Sequence, residues 1–214
     1  MAIIQRPPIS SSSMISPLEK EMIVQEITET LSKNLNGSPQ ERPILVLLGG
    51  FQGSGKSTVA HSLRKTHQFV VISTDVIRYK LLEKSIIGKL FAEMVITISK
   101  ILLIKAVENR LHIVMDANAH AKRIGEITTL LIPYPAYRIL KILLLCSEEK
   151  LIQRLESRPK LEGCYQGQIA DLRGSLNSVF FILTDYHLTL ITDDLLLAKE
   201  SEKINSFLIP YLRS

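Results

Sequence analysis

Apolar residues along this chain fall in two rhythms. Short unbroken runs occur at Ile44–Leu48, Phe69–Ser73, His112–Asp116, Ile139–Leu145 and His187–Thr192. Runs of that length, rich in Ile, Leu and Val, are what strands buried on both faces look like. Between them the apolar positions recur at helical spacing, over Lys56 to about Thr66, Val76 to Asn109, Ala121 to Ile132, Ser147 to Ser157, Ile169 to Leu183 and Leu196 to Leu212. Five strands separated by helices predict a parallel sheet covered on both faces, a three-layer α/β domain. Ahead of the first strand, Ser16, Pro17 and Glu19 form a helix start with a capping box. Leu18, Met22, Ile27, Leu31 and Leu35 give that helix an apolar face, and Gly37 with Pro39 stops it. Residues 1–15 are short, polar and interrupted by proline, which predicts disorder. The expected organisation is thus a disordered stretch 1–15, a helical appendage and linker 16–42 able to pack on the domain or on a protein partner, and a domain over 43–214.

The turn after the first strand changes the picture most. Gly50-Phe-Gln-Gly-Ser-Gly-Lys56-Ser57 fits the phosphate-binding pattern G-x-x-x-x-G-K-[ST], or Walker A, between a strand and a helix. Glycines at 50, 53 and 55 let the backbone curl, so that its N–H groups, those of Gln52, Ser54 and Thr58 included, face a phosphate chain. The helix that follows adds its positive end. Lys56 is expected to reach the β- and γ-phosphates, and Ser57 to ligate magnesium. A glycine-rich turn that binds nothing is the alternative, and the strand and helix on either side disfavour it.

Ligands of open α/β sheets sit at the carboxyl ends of the strands. The second strand ends in Ser73-Thr74-Asp75, with Arg78 one helical turn on. Asp75 could orient or deprotonate an attacking hydroxyl and Arg78 could clamp an anionic acceptor, unless they are merely a helix cap and its local partner. The third strand ends at Asp116, the Walker B position for a magnesium ligand, or else a strand-end carboxylate satisfied by its own loop. Ala117 and Asn118 follow it where ATPase motors carry a glutamate, which argues against a hydrolysis engine. Arg154 and Arg158 lie one turn apart, followed by Lys160, Gly163 and Gly167. That arrangement fits a lid around 154–175, and equally a solvated basic face. Arg123, at the start of the helix after Asp116, could touch an acceptor or be simply exposed.

Composition narrows the classes. A formal charge of +5 and a pI near 9.2 suit a phosphorylated ligand and do not by themselves call for nucleic acid. Cys146 and Cys164 are the two cysteines, so no disulfide framework is implied, and the five histidines lack zinc-site spacing. The N-terminus has no charged-then-apolar leader pattern. The longest apolar region, Ile86 to Val107, carries Lys89, Glu93, Lys100 and Lys105, which a bilayer span tolerates poorly. A cytoplasmic protein with no membrane association is expected.

In order and spacing, GFQGSGKST, STDVIR, VMDAN and RLESR resemble the P-loop kinases of the polynucleotide kinase, gluconate kinase and zeta-toxin group, over residues 44 to about 212. The resemblance implies a five-stranded parallel sheet in the order 2-3-1-4-5 and phosphoryl transfer from ATP, with Mg2+, to a hydroxyl acceptor. It assigns Lys56 and Ser57 to the triphosphate and magnesium, Asp75 to catalysis, Arg78 to the acceptor, and Arg154 and Arg158 to the lid. Two departures bear on the acceptor. Tyr79 to Asn109 is strongly apolar, and Arg173 is the only lysine or arginine between Lys160 and the last strand. The first offers few polar groups to read a nucleic acid or a sugar and leaves the acceptor open; the second, with the modest net charge, favours a small molecule or nucleotide-sugar over a polynucleotide end. The rival readings are a nucleotide-binding regulatory module or slow ATPase that transfers nothing, and a toxin-like kinase. No Asn-Lys-x-Asp guanine-specificity motif is present.

Overall fold

The structure is a computed structural model, and it describes residues 15–159, 162–177, 185–193 and 197–212. Its strands are β1 (Ile44–Gly49), β2 (Val70–Ser73), β3 (Ile113–Asp116), β4 (Arg138–Leu145) and β5 (Leu188–Ile191). They form one parallel sheet in the order β2-β3-β1-β4-β5. Each expected strand is found within a residue of its bounds. β1 is buried at all six positions and β3 at all four, as the unbroken apolar runs require.

Side chains alternate between two cores. Leu45, Leu47, Val70, Ile72, Ile113 and Met115 face α1 (Pro17–Ser32), α3 (Thr74–Glu83), α4 (Gly88–Glu108) and α5 (Ala121–Leu130). Ile44, Val46, Leu48, Val114, Leu140, Ile142 and Leu144 face α2 (Lys56–His67) and α8 (Leu197–Leu212). The remaining helices are α6 (Glu148–Glu156) and α7 (Ile169–Leu176), which each bury one leucine, Leu151 and Leu172. The expected continuation of α7 to Leu183 runs into residues 178–184, which lie outside the described residues, as do residues 1–14.

The long helix expected over 76–109 is two helices. α3 closes at Lys84–Ile86, where Ser85 N–H donates to Leu82 O at 2.9 Å and Ile86 N–H donates to Leu81 O at 3.0 Å. That pair of bonds is a Schellman end, and Leu81 and Ile86 are both buried beneath it. The signal was hidden because the left-handed position, φ 58°, is held by Ser85 rather than glycine. Ser85 is exposed, so Ser85→Gly should relieve the strain and raise stability by roughly 0.5–1 kcal/mol. Thermal unfolding of the two proteins measures this, and a lower Tm for the glycine variant would contradict it.

The first helix keeps its expected start, with Glu19 N–H donating to Ser16 Oγ and Ser16 N–H to Glu19 Oε2. Its apolar face is rotated from the expectation. Val24, Ile27, Thr28 and Leu31 are buried, whereas Leu18 and Met22 are 67% and 61% exposed. The helix packs on α3 and α4 and is tied to them by ion pairs Lys84–Glu26 and Lys20–Glu93 at 2.6 and 2.5 Å. α4 contributes its buried Met94, Val95, Ile98 and Leu102 to the same core. No helix among the described residues is long and apolar enough to cross a membrane.

Candidate active site

The turn from β1 into α2 has the curled backbone its glycines permit. Gly50, Gly53 and Gly55 stand at φ 136°, 85° and 99°, and Gly55 is the N-cap of α2. At Gly50 a β-carbon would lie 2.5 Å from both Leu144 O and Ser54 Oγ, so no other residue fits there. Lys56 folds back over the loop and donates to Gly50 O and Phe51 O at 2.9 and 2.8 Å. Burial pulls its ammonium down to a pKa of about 8, against the opposing attraction of Asp116 and Asp75.

That cleft, of about 670 Å³, lies at the carboxyl ends of β1, β2 and β3. Lys56, Ser57, Asp75, Arg78, Asp116 and Arg123 all line it, together with Gln52, Arg154 and Arg158. The sheet register sets Ser73 beside Asp116, and Ser73 Oγ donates to Asp116 Oδ2 at 3.3 Å. Burial raises the pKa of this carboxylate, opposed first by the Lys56 ammonium and then by the Ser57 hydroxyl. Asp75 opens α3, and its Oδ1 accepts from Arg78 Nη1 at 2.6 Å. It is the second residue of the helix, whose N-cap is Ser73, and α3 has no side-chain cap bond.

Tyr165, beyond α6, packs against the start of α3. Tyr165 N–H donates to Asp75 O at 3.0 Å, its ring lies 5.8 Å from the Arg78 guanidinium, and its hydroxyl donates to Asp171 Oδ2 at 2.9 Å. Arg158 faces the cleft and acts electrostatically on Lys56. Arg154 is arranged differently from the freely reaching lid arginine expected. Its Nη1 donates to Gly53 O and Thr192 Oγ1, both at 3.3 Å, and its Nη2 donates to Thr192 O. It therefore braces the phosphate loop against the end of β5. Lys160 lies outside the described residues.

Two cleft residues, Asn118 and His120, were not singled out in the sequence, and the side chain of Gln52 joins them beyond the loop N–H expected of it. Asn118 and Gln52 each hold a buried side-chain oxygen without a partner among the described residues, which suits a ligand donor. His120 is the N-cap of α5 and lines the cleft, its pKa lowered first by burial and then by Arg123. Its signal was its place four residues after Asp116, just beyond a strand end.

A family model described as an AAA domain, AAA_33, matches residues 45–173, more than half of the chain. The protein belongs to this AAA-domain family. Solved structures similar to this AAA-domain chain are P-loop kinases. An APS kinase of Mycobacterium tuberculosis, in complex with AMPPNP and APS, matches with a TM-score of 0.57 and 17% identity, over 82% of this chain and 100% of that one. A gluconokinase of Sinorhizobium meliloti matches at 0.54 and 16%, over 81% and 96%. The chromosomal toxin-antitoxin system PezAT of Streptococcus pneumoniae matches at 0.51 and 18%, over 66% and 64%. No curated protein matches the sequence. The fold of the AAA-domain chain is thus that of P-loop kinases, as the sequence motifs anticipate.

Proposed function

We propose that this protein is an ATP- and magnesium-dependent kinase that moves the γ-phosphoryl group to a hydroxyl of a small molecule or nucleotide-sugar. The observation that carries the reading is the Asp75–Arg78 pair at the mouth of the cleft that holds Lys56. A bare nucleotide-holding module has no use for a carboxylate poised there.

In this mechanism the loop N–H groups and Lys56 grip the β- and γ-phosphates, with Lys56 exchanging its two carbonyl partners for phosphate oxygens. Asp75, oriented by Arg78, accepts the proton of the acceptor hydroxyl as that oxygen bonds to the γ-phosphorus. The bond from the γ-phosphorus to the β,γ-bridging oxygen breaks, and ADP carries that oxygen away. Arg158 neutralises charge on the group in flight, and the segment carrying Tyr165 and Asp171 acts as the lid that excludes water. The oxygen donors of Ser57 and Asp116, both lining the cleft, fit magnesium, a hard ion that takes few protein ligands and completes its shell with phosphate and water. Magnesium supplies charge neutralisation on the phosphates when bound.

Incubation with γ-labelled ATP and pools of hydroxylated metabolites, sugar nucleotides and oligonucleotides tests the proposal. Label is expected in a small-molecule pool. ATP binding without any labelled product would favour a regulatory module, and labelled oligonucleotides alone would overturn the acceptor class.

A further inference from the structure

The residue just before the phosphate-binding pattern is also a glycine, and its conformation does not explain it. Gly49 ends β1 without a positive φ, so its backbone would accept any residue. What excludes a side chain is Tyr186. A β-carbon on Gly49 would lie 2.7 Å from the Tyr186 hydroxyl oxygen and 2.9 and 3.0 Å from two of its ring carbons. The phenol therefore rests directly on the end of β1.

Tyr186 itself lies outside the lining of the cleft. It precedes β5, which pairs with β4 and not with β1, so its side chain reaches across β4 to the strand beyond. There its hydroxyl donates to Ala119 O at 2.6 Å. From β1, Leu48 O accepts the Ala119 N–H at 3.0 Å. Ala119 is buried and held at both of its polar groups, once by β1 and once by the residue that leads into β5. Its two neighbours, Asn118 and His120, are the loop residues that line the cleft. Asp116 is fixed separately, by the register of β2 on β3 and by the Ser73 hydroxyl.

We propose that Tyr186 is a positioning residue, which by holding Ala119 sets where Asn118 and His120 stand in the cleft. Its influence passes through one backbone carbonyl, and it touches none of the reacting groups. The consequence for transfer rests on the kinase reading above and deepens it. Because the phosphate loop and Asp116 are held by other contacts, loss of the hydroxyl spares nucleotide binding and falls on the transfer step.

Tyr186→Phe removes the donor and keeps the ring on Gly49. Its control is Tyr137→Phe, which removes a similar bond, from the Tyr137 hydroxyl to Leu111 O at 2.8 Å, at the opposite ends of the strands. The histidine ring signals of the full chain are recorded by NMR with and without AMPPNP and Mg2+, that of His120 being the one lost in His120→Gln. Tyr186→Phe is expected to shift the His120 signal, and Tyr137→Phe to leave it in place. If Tyr186→Phe does not fold, Gly49→Ala crowds the same hydroxyl and should shift the same signal. With γ-labelled ATP and the pool that the wild type labels, Tyr186→Phe should lower kcat by about ten- to a hundredfold at unchanged KM for ATP, and Tyr137→Phe should lower neither. An unmoved His120 signal, an equal shift in both tyrosine variants, or a wild-type kcat for Tyr186→Phe would overturn the positioning role. A wild-type protein that labels no pool would overturn the kinase reading instead, and the His120 signal would still decide whether Tyr186 holds the loop.

Discussion

Asp75→Asn is expected to lower phosphoryl transfer by about 10²–10⁴-fold while leaving ATP affinity unchanged. The substitution preserves the shape of the side chain and an oxygen that Arg78 can still reach, so α3 should start as before. What it removes is the capacity to take a proton. The loss should therefore fall on kcat, with KM for ATP constant, and nucleotide titration should match the wild type. Transfer at the wild-type rate would show that Asp75 only pairs with Arg78 and that the hydroxyl loses its proton elsewhere.

Lys56→Met should separate binding from stability in opposite directions. Removing the ammonium that meets the β- and γ-phosphates is expected to reduce ATP affinity by on the order of 10²-fold or more. The nucleotide-free variant should nevertheless melt at a higher temperature. The folded pKa of about 8 lies below the ordinary 10.5, so at pH 7 the unfolded chain holds this proton more tightly than the folded one. A group shifted this way opposes folding at neutral pH, and the opposition fades as pH rises from 8 to 10.5. Calorimetric melts with and without ATP measure both halves. The same pKa predicts that wild-type affinity for ATP declines above pH 8, as the empty site loses its ammonium. A variant that melts lower, or an affinity flat to pH 9.5, would contradict the account.

Strands and the phosphate loop were readable from the sequence because each depends on local pattern, whereas the sheet order came only with the resemblance to P-loop kinases. Unbroken apolar runs declare strands buried on both faces, and the loop must be glycine where Leu144 O approaches Gly50. Asp75 and Arg78 could be paired in advance since three residues on a helix fix their distance. Features set by partners distant in the chain were not readable. Arg154 looked like a lid cation, but its position is decided by Thr192, thirty-eight residues on. The face of α1 was misjudged because α4 chose Val24 over Met22, and nothing in the repeat distinguishes them. The break after α3 was missed because a serine does the work of a glycine.

The bracing by Arg154 also bears on how motion is distributed through the sheet. β5 is a four-residue edge strand with Ile191 67% exposed, held to the sheet by β4 alone. Such an edge frays first, and its amide protons should exchange early. Yet Thr192 at its end shares one guanidinium with Gly53 O in the phosphate loop. A nucleotide that stills the loop must thereby still the edge, so that solvent exchange at β5 becomes a remote gauge of whether the site is filled.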